Sequence, residues 1–181
     1  MTDEQLFDIL RPIILSVTGV SECILADPNA PAPSGPYAAV RPQQSITERG
    51  QANIVRIGNN DATQTTKVRA QIAATCWVNF YRDGAMGFAQ KLKQCNKRPN
   101  VSITLLKNKL GWAGTDAINN LTALQSENFE ERAQIAIKLW YETTDEDVIN
   151  SIERANIGVE YEDGTLITTV DVETPDAPPI P

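Results

Sequence analysis

The sequence predicts an α+β fold: a mostly antiparallel sheet with helices packed on one face, then a C-terminal β-hairpin and a flexible tail. Three observations carry this. Residues 72–80 alternate apolar and polar side chains with a period of two, and residues 133–141 do the same. Apolar residues recur at helical spacing near the N-terminus and again after Gly84. Asp163-Gly164 joins two further alternating segments and is a strong hairpin signal. The order helix, strands, helices, strand, helix, hairpin then suits an α+β arrangement. A length of 181 residues is enough for one domain with an arm. We expect a main domain over residues 1–152, a hairpin arm over 153–172 and a flexible proline-rich tail over 173–181.

Thr2 and Gln5 are placed to form a capping box, and Leu6, Leu10, Ile13, Ile14 and Val17 follow on one helical face. Pro12 lies inside that pattern and predicts a kink or restart, and Gly19 a stop. SECILAD reads as a short strand. The stretch ILADPNAPAPSGPYAAVRP then carries five prolines. Prolines fix φ and donate nothing, so this loop is extended before Tyr37–Arg41 resumes as a strand. ANIVRIG is a weaker strand, and residues 57–66 read as a loop. Thr66–Arg82 is the clearest strand. RDGA turns the chain into a helix with Ala85, Phe88, Ala89, Leu92 and Cys95 on its apolar stripe, ended by Pro99. A shorter helix follows over Ser102–Lys109, capped by Gly111. Leu121–Leu124 suggests a short strand and FEERAQIAIKLWY a long one. TTDEDVINSIERA reads as a helix with an acidic first turn. In the final hairpin, Tyr161 is expected opposite Leu166, Val159 opposite Thr168 and Ile157 opposite Val170, all on one face.

The chain contains no histidine. This removes the commonest general base and metal ligand, and with them any Ser-His or Cys-His arrangement. Cys23, Cys76 and Cys95 are an odd number without a CxxC pair, and read as reduced thiols. Neither GxGxxG nor GxxxxGK[ST] occurs. The acidic runs TTDEDV and EYEDG lack the spacing of a calcium loop. In NFEER, neighbouring carboxylates on a strand point to opposite faces, which suits an edge or subunit contact better than an acid/base pair. No catalytic site, metal or cofactor is expected, and the chain is read as a non-enzyme. MTDEQLFDIL has no basic n-region or long apolar run, so neither a secretory signal nor a membrane association is expected.

Charge is uneven around a net −7. Residues 1–125 hold 13 Lys/Arg against 9 Asp/Glu, whereas residues 126–181 hold 3 against 14. No acidic residue occurs from Gly84 to Thr115, where Lys91, Lys93, Lys97 and Arg98 cluster. Such a basic middle could be solvated surface, a phosphate contact, or one of two opposite faces that meet between copies. Against nucleic acid stand the overall charge and the lack of aromatics among those cations. Trp77 and Trp140 fall on the less apolar strand faces, where a sheet covered on both sides or an interface anchor would place them.

LRPIILSVTGV, the proline loop, CWVNFYRDGAMGFAQKL and FEERAQIAIKLWYETTDEDV together resemble the neck or tail terminator proteins of long-tailed bacteriophages, over about Leu6–Ile157. The resemblance implies a compact α+β subunit in a homohexameric ring on the tail tube. Such a ring stops tube growth, meets the head–tail connector or collar protein, and lets genomic DNA pass through its lumen. It implies a virion location after assembly in the host cytoplasm, with the tail sheath an open further partner. Another connector or head-completion ring protein, or a nucleic-acid-binding module, are the alternatives. A ring needs two different complementary faces on each subunit. The candidates are Pro31, Pro33, Pro36 and Tyr37 of the proline loop, and Lys91, Lys93 and Lys97 of the basic helix. Glu130, Glu131 and Arg132 at the strand entrance, and Tyr161 and Leu166 of the hairpin, complete the set.

Overall fold

The computed structural model of the chain describes residues 1–26, 31–60, 63–125, 128–150 and 154–173. Its elements are α1 (Asp3–Thr18), β1 (Glu22–Leu25), β2 (Tyr37–Glu48), β3 (Asn53–Asn60), β4 (Thr63–Tyr81), α2 (Ala85–Lys93), a single 3-10 turn (Cys95–Lys97), α3 (Pro99–Lys107), β5 (Gly111–Thr115), β6 (Asn119–Asn120), β7 (Ala123–Gln125), β8 (Asn128–Glu130), β9 (Arg132–Asn150), β10 (Arg154–Glu160) and β11 (Leu166–Glu173). The fold is α+β, with a mixed, mostly antiparallel main sheet. The chain forms two compact units, one of residues 1–51 with 71–143 and one of residues 52–70 with 144–181.

In the first unit the strand order is β1-β2-β4-β9-β5, and β6 also pairs with β9. Helix α1 opens with the expected capping box, as Gln5 N donates to Thr2 Oγ1 and Thr2 N to Gln5 Oε1. It closes on Gly19, whose φ of +77° is the left-handed stop. The helix runs unbroken over Pro12, so no restart occurs there. Its buried stripe is Leu6, Leu10, Ile13, Ile14 and Val17, and it lies against β1, β2 and α2. The core is completed by Cys76, Val78 and Phe80 of β4 and by Ile135, Ile137 and Leu139 of β9, all fully buried. Pairing is direct across the sheet, with Val40 opposite Val78 and Gly111 opposite Trp140. Gly111 has a steric reason, since a Cβ there would come within 3.3 Å of Trp140 Cβ. Trp77 and Trp112 are half-buried, and Trp140 is exposed beneath the Arg49 guanidinium, 3.9 Å from its ring centroid.

Three expectations need correction in and around this unit. Pro99 starts a helix rather than ending one, because at the first helical position its missing N–H is no loss. Gly111 is not that helix's cap. Lys109 takes the left-handed conformation instead, at φ +54°, while Leu110 N bonds to Leu105 O and Lys109 N to Leu106 O. This is a Schellman closure with lysine where glycine is usual, held by the buried pair Leu105 and Leu110. The strand expected over Leu121–Leu124 proves to be the β7–β8 hairpin, with Leu124 opposite Phe129.

The parallel pairing of β1 with β2, Cys23 opposite Ala38, explains the proline loop locally. Parallel neighbours need a crossover that carries the chain back before the second strand begins. The described part of that return, residues 31–36, holds three prolines, which donate nothing that would compete for ladder hydrogen bonds.

In the second unit, β3 pairs antiparallel with the first part of β4, with Arg56 opposite Thr66. Residues 57–66 are therefore strand apart from 61–62, which lie outside the described residues. Threonine is at home in strands, and this polar sequence pairs here despite reading as loop. The helix expected over TTDEDVINSIERA is also replaced: β9 continues as strand through Asn150. Tertiary pairing overrides the acidic first-turn signal, and Lys67 meets Glu146 at 2.5 Å. Residues 151–153 of that expected helix lie outside the described residues. The β10–β11 hairpin keeps the expected pairs Ile157–Val170 and Val159–Thr168. A bulge then sets Leu166 opposite Glu160 rather than Tyr161. The turn is not type I′, since only Gly164 has positive φ (+83°). It is a type I turn with a glycine bulge, closed by Gly164 N to Tyr161 O and Tyr161 N to Thr165 O.

Candidate functional site

One end of the first unit gathers most of the proline-loop and strand-entrance candidates. At the end of β4, Arg82 adopts φ +69°, a conformation uncommon for a side chain of its size. That twist turns the chain toward α2 while its N–H donates to Glu131 O at 2.7 Å. The Arg82 guanidinium reaches back, and Nη1 donates to the carbonyl oxygens of Pro33 and Gly35, the latter at 2.9 Å. Charged hydrogen bonds of this kind contribute about 1.5–3 kcal/mol each when shielded from water. Its Nε stands 3.8 Å from Glu130 Oε1, a long pair on half-exposed groups that adds little. Glu131 Oε2 accepts from Gly84 N at 2.8 Å, fixing the same turn from the other side. Ser21 Oγ donates to Pro36 O at 2.6 Å and pins the far end of the loop.

Below this network Tyr37 and Tyr81 stack, with centroids 4.7 Å apart and planes 7° from parallel. Arg132 covers Tyr81 at 4.9 Å and Arg82 approaches Tyr37 at 5.6 Å. Burial pushes the Tyr37 hydroxyl above its ordinary pKa, helped by Tyr81 and Glu130 and opposed by the two arginines. Beside the stack opens a cleft of about 520 Å³, lined by Ala32, Tyr81, Leu121, Leu124, Glu130 and Arg132 among others. A second hollow of about 350 Å³ lies between Ser34, Pro36, Arg82 and Phe129. The β7–β8 hairpin forms their rim and is strongly apolar for a surface, with Leu124 61% and Phe129 76% exposed.

The candidates thus divide into three places. Pro33, Pro36, Tyr37, Glu130, Glu131 and Arg132 come together here; Pro31 is an exposed residue of the same loop. Lys91, Lys93 and Lys97 lie elsewhere, exposed on α2 and the 3-10 turn. Lys91 and Lys97 line a shallow groove of about 480 Å³ with Arg98; Lys91 Nζ already donates to Thr18 O. Tyr161 and Leu166 are exposed in the second unit. Sequence reasoning missed Arg82, Tyr81, Leu124 and Phe129. Leu124 and Phe129 were detectable only as two apolar residues flanking a short polar turn, a pattern too brief to separate from loop.

Among the described residues no group of three or more Cys, Asp or Glu is placed to hold a metal. The three free cysteines are buried, and burial raises the thiols of Cys23 to about 12 and Cys95 to about 11. A family model described as phage neck terminator protein matches residues 4–165. The chain belongs to the phage neck terminator protein family. Comparison with curated proteins finds no match. As a neck terminator, the chain is a structural component of the virion and associates with tail and head components. Among its described residues, no helix is long and apolar enough to cross a membrane.

Proposed function

We propose that this neck terminator forms a homohexameric ring on the end of the tail tube, halts tube polymerisation there, and offers its other face to the head–tail connector or collar protein. Its role is architectural, without a catalytic step. The observation that carries the reading, beyond family membership, is the second unit: among its described side chains only Thr66 is buried, while Ile54, Val148, Ile157 and Val159 remain exposed. Extended hairpins with no core of their own are marginal in water and gain burial from a neighbour.

The charge asymmetry suits a heterologous ring contact, with the basic helix of one copy facing acidic residues of the next. Lys91, Lys93 and Lys97 supply the basic side. The proline loop, led by Pro31 and Pro33, and the hairpin carrying Tyr161 and Leu166 are the segments we assign to neighbouring subunits or the tube. A net charge of −7 fits a conduit through which DNA slides without being held by its phosphates. Assembly takes place in the host cytoplasm.

Native mass spectrometry of the purified protein, alone and with tail tubes, across salt concentration, tests the reading. A hexamer, or a monomer that becomes hexameric on tubes, is expected. Reversing charge at Lys91, Lys93 and Lys97 together should disfavour it. A protein that stays monomeric with tubes but retains DNA at low salt would replace the ring with a nucleic-acid-binding role.

A further inference from the structure

Arg82 displays how this chain holds proline-rich backbone. Such a segment offers carbonyl acceptors and few N–H donors, so a guanidinium fork is its natural partner. Arg82 makes that match with the carbonyls of Pro33 and Gly35. A second arginine lines the adjoining cleft and is less completely used. The Arg132 guanidinium lies over Tyr81, and its Nε is buried without a hydrogen-bond partner among the described residues. The remaining walls are the tyrosine stack and the exposed Leu124, with a free volume of about 520 Å³. Aromatic and aliphatic walls beside a guanidinium suit a polyproline II segment, whose carbonyls need donors.

The sequence contains a second segment of that kind. Residues 29–33 read Asn-Ala-Pro-Ala-Pro, and residues 176–181 read Asp-Ala-Pro-Pro-Ile-Pro. Both begin with an acidic or amide residue followed by Ala-Pro. The charges agree too, since Arg82 and Arg132 outnumber Glu130 on the cleft wall, and the segment brings Asp176 behind Glu173.

We propose that this cleft binds the proline-rich segment 174–181 of a neighbouring copy. Its carbonyls accept from Arg132, and its proline rings lie against Tyr81 and Leu124. The assignment to a neighbour rests on the ring reading, in which every copy carries one cleft and one such segment.

The test uses the full-length chain with its own segment disabled by Pro178→Ala, Pro179→Ala and Pro181→Ala. A fluorescein-labelled, C-terminally amidated peptide of residues 171–181 is titrated and read by anisotropy. Saturable binding is expected, weakened at least about tenfold by Leu124→Asp and by Arg132→Lys. Leu124 is exposed, so its variant keeps the fold, as near-UV circular dichroism will verify. Absence of binding, or binding that ignores both substitutions, overturns the proposal. If the unsubstituted monomer refuses the peptide while the disabled chain accepts it, the segment occupies its own cleft and the neighbour assignment fails. Light scattering on the same samples keeps the readings apart: rings without peptide binding sink this proposal and leave the ring standing.

Discussion

The first unit buries Leu6, Leu10, Phe80, Ile135, Ile137 and Leu139 completely, whereas Ile54 and Val148 in the second unit are each 63% exposed. Both regions are rich in paired strands. The difference is that a ladder satisfies backbone hydrogen bonds but removes apolar surface from water only where another layer covers it. Full burial of a Leu or Ile side chain is worth about 1.5–3 kcal/mol, and the described side chains of the second unit collect almost none of it. Among the described residues, strand pairing and the Lys67–Glu146 ion pair hold that unit, and under the proposed ring reading assembly would add the missing burial.

The sharpest way to break this comparison is truncation on both sides. Phe80→Ala should destabilise the isolated protein by about 3–5 kcal/mol and Ile137→Ala by about 2–5 kcal/mol in urea unfolding. Ile54→Ala and Val148→Ala should change it by about 0.5 kcal/mol or less. A loss above about 1 kcal/mol at Val148 would reveal a core we have not recognised.

Alkaline pH should separate the units as well. Cys23 and Cys95 titrate in the folded state at about 12 and about 11 against an ordinary 9.0, because burial disfavours the thiolate. A raised folded pKa means the stabilisation is complete below pH 9 and is lost as pH rises toward 12. Urea midpoints of the first unit should fall across that window. The second unit contains no cysteine and should show no thiol contribution.

How much of this was legible in the sequence follows the same division. Where one face is buried, as in residues 72–80 and 133–141, period-two alternation located the strands and named their inward residues. The α1 cap and stripe were equally readable. Where the sequence does not alternate, the pattern carried little: residues 57–66 looked like loop, and the acidic stretch after Tyr141 looked like a helix start. Their strand state comes from cross-strand pairing, which leaves no periodicity. The hairpin register was correct at Ile157 and Val159 but slipped at Leu166, because one bulge residue is invisible to alternation. At the candidate site, the proline loop and Glu130–Arg132 stood out by composition. Arg82, which ties them together, could not, since nothing in an Arg-Asp-Gly turn announces that the arginine takes the positive φ.

Smaller effects refine the picture. Arg82→Ala should lose about 1–3 kcal/mol through its unpaired loop carbonyls and loosen residues 31–36, seen as faster amide exchange there. Lys109→Gly should stabilise the first unit by about 0.5–1 kcal/mol, because the Schellman position favours glycine. Thr165 N–H donates to Asp163 and lowers its carboxyl pKa below 3.8. That contribution is present above pH 3.8 and fades as pH falls through the lowered value. The Thr165 amide shift in NMR should report it, with no response in the first unit.

Amide hydrogen exchange of the protein alone and after assembly on tail tubes tests the central claim most directly. Residues 133–139 of β9 should be protected in both states. Strands β3, β10 and β11 should exchange rapidly in the isolated chain and become protected on assembly. If they were already as protected as residues 133–139 in the monomer, or unchanged by the tubes, the second unit would not be completed by its neighbours.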